Sequence, residues 1–271
     1  MRVHAANADI REQACRALMS ITTGDDAQGE ACAQAAVDAG ALPHIVAAMH
    51  VHAANAAVQD QACRALINIA AGNDAHRDAR RQAAADADAQ GQVRKQAAAD
   101  AGALPQIVAV MRAHAANAAV QEAACQALIN ITTSNDARAH LVVDVGALPQ
   151  IVVAMRAHAA NAAVQEKACW ALCDITAGNY ARAQVAADAS TLPQIVAAMR
   201  AHVANAAVQE QAWWTLVNIT SGVNVQGRAR RRVAADAGAL TQIVAAMRAH
   251  AANVTVQEQD RFALRLLQRY A

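Results

Sequence analysis

Asn161-Ala-Ala-Val-Gln-Glu-Lys-Ala-Cys-Trp-Ala-Leu-Cys-Asp-Ile175 is one of six near-copies of a fifteen-residue segment in this 271-residue chain. The others begin at Asn7, Asn55, Asn117, Asn205 and Asn253, so the intervals are 48, 62, 44, 44 and 48 residues. Self-similarity at a period in the forties marks a helical solenoid, whose units bury their apolar faces only against their neighbours. Composition points the same way. The hydrophobic fraction is 56% while aromatics are only 2%, and alanine makes up the difference. Alanine is the strongest helix former. A β-sandwich or barrel would draw on β-branched and aromatic residues instead.

One unit, residues 178–221, predicts three helices. Gly178 and Asn179 break the preceding helix, and a short first helix covers Ala181 to Ala189. Ser190 and Thr191 end it. Pro193 falls in the first turn of a second helix, where its missing N–H costs nothing. Leu192, Ile195, Val196 and Met199 then recur at helical spacing. After a loop through His202, Asn205 is placed as an N-cap. A third helix runs from Ala206 to about Thr220, with Val208, Ala212, Leu216 and Ile219 facing inward. The joint between first and second helices is Gly-Ala-Leu-Pro at Gly40, Gly102 and Gly146; Gly238 keeps the glycine but Thr241 replaces the proline.

The chain divides into a partial unit, 1–22, and five full ones: 23–71, 72–133, 134–177, 178–221 and 222–271. The two 48-residue intervals carry four extra residues in the first helix, around Gln28-Gly29 and Gln226-Gly227. The 62-residue interval has that form at Gln90-Gly91 and adds a fourteen-residue duplication, Arg81–Asp86 recurring as Lys95–Asp100. Fourteen residues are close to four helical turns. The insert therefore reads either as a longer or added helix in phase with the core, or as a flexible excursion. The first unit starts at the end of a second helix. An exposed apolar third-helix face is expected there, to be covered by further repeats or by self-association.

The pattern Asn-x-x-Val-x-x-x-Ala-Cys-Trp-Ala-Leu-Cys-Asp-Ile, preceded by Gly-Ala-Leu-Pro-Gln-Ile-Val, resembles the armadillo repeat across essentially the whole chain. HEAT repeats have two helices and lack the short first helix that ends at Gly-Ala-Leu-Pro. The resemblance implies an all-α, right-handed superhelical solenoid whose third helices line a concave groove. It implies a largely eukaryotic, non-enzymatic family of protein-binding scaffolds, including nuclear-import adaptors and β-catenin-like proteins. In import adaptors a Trp and an Asn four residues apart on the third helix bind the peptide. This chain keeps both at Trp214 and Asn218. Trp170 is kept with Asp174 in place of Asn, Asn68 and Asn130 with Arg64 and Gln126 in place of Trp, and Arg16 and Ser20 match neither.

Positions four apart on a helix lie within 40° of each other. Four residues before each Trp position stands an acid: Glu12, Asp60, Glu122, Glu166, Glu210 and Glu258. These acids form a carboxylate ladder, or they favour the positive N-terminal ends of the third helices; both roles can hold at once. Glu12 with Arg16 and Asp60 with Arg64 are expected to pair at i, i+4. Glu122, Gln126, Asn130, Glu166, Trp170, Asp174, Glu210, Trp214 and Asn218 then form an acidic and aromatic set suited to an extended peptide carrying Lys or Arg. Indole faces attract cations, and Asn130 and Asn218 can pair with a peptide backbone. Arg64 and Asn68 extend the set towards the N-terminus. Exposed tryptophan is an uncommon choice without a contact to make. Trp213, turned 100° from Trp214, reads as core, and Phe262 stands at the Trp position of the final unit.

Other functions find little support. Formal charge is +1, without the basic excess of a phosphate-tracking nucleic-acid binder. The densest basic run, Arg228, Arg230, Arg231 and Arg232, reads as a solvated helix face. Cys15, Cys63, Cys125 and Cys169 share one repeat position, about 10 Å apart and beyond disulfide reach. They read as core thiols in a reducing compartment, cytoplasmic or nuclear. One histidine per repeat cannot converge on a metal ion, so hydrogen bonds at loops or helix ends are expected. No cofactor is implied, and catalytic motifs are lacking. No stretch is apolar enough to predict membrane insertion. The expected function is a scaffold binding an extended peptide or partner segment. The alternatives are an import-type adaptor for basic localisation peptides and a self-associating structural solenoid.

Overall fold

Each repeated asparagine begins a helix for a physical reason. Its side-chain oxygen accepts a hydrogen bond from a backbone N–H that the first turn leaves without a partner. In the computed structural model, which describes residues 6–24, 27–71 and 84–268, Asn205 Oδ1 accepts from the Val208 N–H at 3.1 Å. Asn55, Asn117, Asn161 and Asn253 cap in the same way.

The described residues form helices joined by turns, grouped in two compact units, residues 1–145 and 146–271. The first unit contains α1 (Ala8–Ile21), α2 (Ala27–Asp38), α3 (Ala41–Val51), α4 (Ala56–Ala70), α5 (Ala84–Asp100), α6 (Ala103–Ala113), α7 (Ala118–Thr132) and α8 (Asp136–Asp144). The second contains α9 (Ala147–Ala157), α10 (Ala162–Thr176), α11 (Tyr180–Asp188), α12 (Thr191–Ala201), α13 (Ala206–Thr220), α14 (Val225–Asp236), α15 (Ala239–Ala249) and α16 (Val254–Gln268). The three-helix repeat expected from 178–221 is α11, α12 and α13. Third helices stack on third helices: α1 on α4 and α4 on α7 in one unit, α10 on α13 and α13 on α16 in the other. Val208, Ala212, Leu216 and Ile219 are buried as their spacing predicted.

The turn from first to second helix needs a left-handed residue, which glycine adopts without steric cost. Gly40, Gly102, Gly146 and Gly238 supply it with φ between 73° and 92°, and Ser190 takes the same place at φ 63°. A second glycine position answers to crowding rather than to φ. A Cβ added to Gly29 or Gly227 would lie 2.3 Å from the carbonyl oxygen of Gly24 or Gly222. The Gln-Gly pair of the longer first helices therefore lets the backbone pass close beside the preceding loop. In the 62-residue interval the insert is helical from Ala84 onward, making α5 seventeen residues long. Arg81 to Ala83, the first half of the earlier copy of the duplication, lie outside the described residues.

Two buried polar devices close the helix ends. Glutamine of the Val-Gln pair uses both amide hydrogens: Gln209 Nε2 donates to Met199 O and His202 O, each at 2.9 Å. Gln59, Gln121, Gln165 and Gln257 repeat this between their own second and third helices. Arginine satisfies carbonyls at the end of the third helix before it. Arg94, Arg138, Arg182 and Arg230 donate through Nε to Ile69, Ile131, Ile175 and Ile219 O. The cation also complements the negative end of the helix dipole. This corrects the reading of the basic run: Arg228 and Arg232 are exposed, but Arg230 and Arg231 are buried, and Arg231 Nη1 donates to Thr220 O and Gly222 O at 2.9 and 2.7 Å.

The histidines bridge repeats, as hydrogen bonding at helix ends predicted. His114, His202 and His250 place Nε2 at 2.7–2.9 Å from the carbonyl oxygens of Ala53, Ala159 and Val203. A carbonyl only accepts, so Nε2 is the donor in each of these contacts. All six cysteines are free. Cys15, Cys63, Cys125 and Cys169 are fully buried. Burial pushes Cys15 up to about 11 and Cys63 and Cys125 up to about 12. Among the described residues no single helix is long and apolar enough to cross a membrane.

Candidate functional site

Stacking the third helices brings their shared stripe together on one face of each unit. In the first unit the expected pairs form. Arg16 Nη2 reaches Glu12 Oε1 at 2.7 Å, and Arg64 Nε reaches both oxygens of Asp60 at 3.0 and 2.9 Å. The bond to Asp60 holds the Arg64 guanidinium above its ordinary range against the opposing effect of burial, and Glu122 on α7 adds to it. These arginines are half exposed, and each is paired with the acid one turn before it.

The asparagines tie neighbouring helices together. Asn68 Nδ2 donates to Met19 O at 2.9 Å and to Thr23 Oγ1 at 3.0 Å. Asn130 Nδ2 donates to Ile67 O at 3.0 Å, while its Oδ1 accepts from Gln126 Nε2 at 2.8 Å. In the second unit Asn218 Nδ2 donates to Cys173 O at 3.1 Å, with Cys173 Sγ at 3.4 Å. Much of the hydrogen bonding expected to serve a peptide backbone is therefore used inside the protein. Asn218 keeps its Oδ1 as an acceptor.

The two indole positions of the second unit differ. On α10, Lys167 Nζ lies 5.1 Å from the centre of the Trp170 ring and 2.9 Å from Glu166 Oε1. The cation over Trp170 comes from the chain itself, an arrangement the sequence reading missed although Lys167 and Trp170 are three apart on one helix. Asp174 is half-buried one turn further on. On α13, Glu210 is partly exposed four residues before Trp214, and Trp214 is 41% exposed. Trp213 is only 4% exposed, as its turn away from Trp214 predicted. It meets Trp214 edge-on at 4.5 Å and Phe262 of α16 at 6.1 Å between ring centres. Phe262 is 54% exposed. The face thus carries an aromatic patch on α13 and α16 with carboxylates one turn before it, at Glu210 and Glu258.

Among the described residues no group of three or more His, Cys, Asp or Glu side chains is arranged to hold a metal ion. The stripe presents indole and phenyl surface, carboxylates, and amides bonded to their neighbours.

Residues 29–71 and 135–177 match the family described as Armadillo/beta-catenin-like repeat. Among solved structures, an engineered protein superimposes with a TM-score of 0.77 at 28% identity, over 97% of this chain and 94% of that one. A designed armadillo repeat protein in complex with the peptide (KR)4 superimposes at 0.73 and 26% identity, over 94% and 92% of the two chains. Computationally designed armadillo repeat proteins for modular peptide recognition give 0.74 and 26%, over 94% and 92%. No curated protein matches.

Proposed function

We propose, of the armadillo-repeat solenoid that these repeats form, that it is a non-enzymatic interaction scaffold binding an extended peptide or partner segment on its third-helix face. The observation that carries this reading is Trp214. A large apolar ring stands two-fifths exposed, beside an acid one turn earlier, on a helix whose Val208, Trp213, Leu216 and Ile219 are buried. Such rings at the centre of a contact are common hot spots. The repeats resemble designed proteins of which one holds a (KR)4 peptide, which supports a ligand carrying Lys or Arg. Glu166, Trp170, Asp174, Glu210, Trp214 and Asn218 line the face in the second unit. Arg64, Asn68, Glu122, Gln126 and Asn130 line it in the first. The import-adaptor reading draws on one repeat, where Trp214 and Asn218 occur together. Six free cysteines support a reducing compartment, cytoplasmic or nuclear.

Tryptophan fluorescence titrated with an alternating Lys-Arg octapeptide tests this. The wild type is expected to bind, and Trp214→Ala to weaken binding at least tenfold, as removal of a hot-spot ring does. An acidic octapeptide is expected to bind more weakly than the basic one. Equal binding by Trp214→Ala, or preference for the acidic peptide, would contradict the reading.

A further inference from the structure

The two tryptophan-bearing third helices of the second unit look interchangeable in sequence. Each carries an acid four residues before its indole, Glu166 before Trp170 and Glu210 before Trp214. Their surroundings make them opposites. At α10 a cation is already bound. Lys167 Nζ sits 5.1 Å from the Trp170 ring centre, within the roughly 6 Å over which a cation is held by an indole face. The same ammonium is 2.9 Å from Glu166 Oε1, so one lysine meets both the ring and the carboxylate that a ligand cation would use. At α13 the residue matching Lys167 is Gln211, which is neutral. Glu210 enters no ion pair among the described residues, and Trp214 is the more exposed ring, its neighbours being aromatic rather than cationic.

Resting on the peptide-binding reading above, we infer that Lys167 closes the Trp170 position to cations, so that of the two indole positions in the second unit only Trp214 with Glu210 takes a basic side chain. A second ammonium at Trp170 would face Lys167 at close range and would have to share Glu166 with it. Like charges so placed repel, and displacing Lys167 would forfeit its ring contact and ion pair together. Lys167 is therefore a specificity-determining residue. Opposite α10 the ligand is expected to present a neutral side chain. Opposite α13 it presents Lys or Arg.

The chain has only two lysines, Lys95 and Lys167, so ¹³C-lysine labelling gives a spectrum in which each can be assigned by substitution. The ε-methylene of Lys167 is expected upfield of a solvated lysine, shifted by the indole ring current. Trp170→Ala should return it to the solvated position. Adding the Lys-Arg octapeptide should leave it in place, while Lys167→Met should tighten that peptide about threefold by opening a second cation position. A Lys167 signal at the solvated position in the free wild type would overturn the inference, as would a peptide that displaces it. Unchanged or weaker binding by Lys167→Met would overturn it too. Failure of the peptide to bind either protein would instead remove the peptide-binding reading, and the ring-current shift would still decide whether Lys167 covers Trp170.

Discussion

Raising the pH from 8 to 10 is expected to destabilise residues 1–145 by about 4 kcal/mol through three thiols. Cys15, Cys63 and Cys125 hold one repeat position in α1, α4 and α7, buried among apolar side chains. Burial pushes them up to about 11, 12 and 12 from an ordinary value of 9.0. Asp60 raises Cys63 further, and Glu122 does the same for Cys125. Above pH 9 the unfolded chain releases thiol protons that the folded chain keeps. The unfolded state then binds fewer protons, so stability falls as pH rises. The contribution is fully present below about pH 9 and is lost through the window up to about 11 or 12. At pH 10 each thiol accounts for about 1.4 kcal/mol. Urea midpoints followed by circular dichroism at pH 8, 9 and 10 measure this. Cys63→Ala and Cys125→Ala, made singly, should each remove about a third of the dependence. A dependence identical in these variants and the wild type would show that other groups cause it.

Replacing Arg230 by Met is expected to cost about 3 kcal/mol, the range for breaking a buried charged network. Its Nε donates to Ile219 O at 2.5 Å, Nη2 to Ser221 O at 2.9 Å and Nη1 to Gln184 Oε1 at 2.8 Å. The guanidinium thus ties α14 to the end of α13 and to α11. Burial holds it below its ordinary range, opposed in part by Asp188. Methionine fills similar volume but leaves two carbonyls at a buried helix end without donors, and that loss sets the cost. Arg232→Met is the control. Its contact with Asp236 is 3.9 Å with both side chains exposed, so it should change stability by less than about 0.5 kcal/mol. Because a repeat chain need not unfold in one step, amide hydrogen exchange in α13 and α14 is the measurement of choice. Exchange unchanged by Arg230→Met would remove the arginine from its structural role.

The fold was legible because local and long-range signals agree. The period set the repeat, asparagine marked the start of each third helix, and Gly-Ala-Leu-Pro or a near variant of it marked each joint between first and second helices. The third helix expected over Ala206 to about Thr220 spans Ala206–Thr220. The basic run was misread because a charge count cannot tell a solvated guanidinium from one that closes a helix end. A finer signal was present: Arg94, Arg138, Arg182 and Arg230 each stand eight residues before the joint residue, at Gly102, Gly146, Ser190 and Gly238. A surface charge has no reason to keep that register. In the second repeat Cys32 takes the arginine's place.

Which residues share the third-helix stripe was legible, but not everything they pair with. The stripe of acids, indoles and asparagines follows from helical spacing, and so do the ion pairs at Arg16 and Arg64. The amide reach from Asn218 to Cys173 spans 45 residues of chain, and no local pattern reveals it. Lys167 is different in kind. Its position holds Gln, Ala and Gln at Gln61, Ala123 and Gln211, so it is a departure from the repeat. Departures of this sort are where the face of one repeat differs from that of the next.

The most direct test of the third-helix face as the binding surface is a ¹⁵N-labelled sample titrated with the Lys-Arg octapeptide. The indole N–H of Trp214 and the side-chain amide of Asn218 are expected to shift together with increasing peptide. Backbone signals around Tyr180 and Val185, exposed on the first helix α11, are expected to stay fixed. Shifts confined to α11, with Trp214 and Asn218 unmoved, would contradict the account.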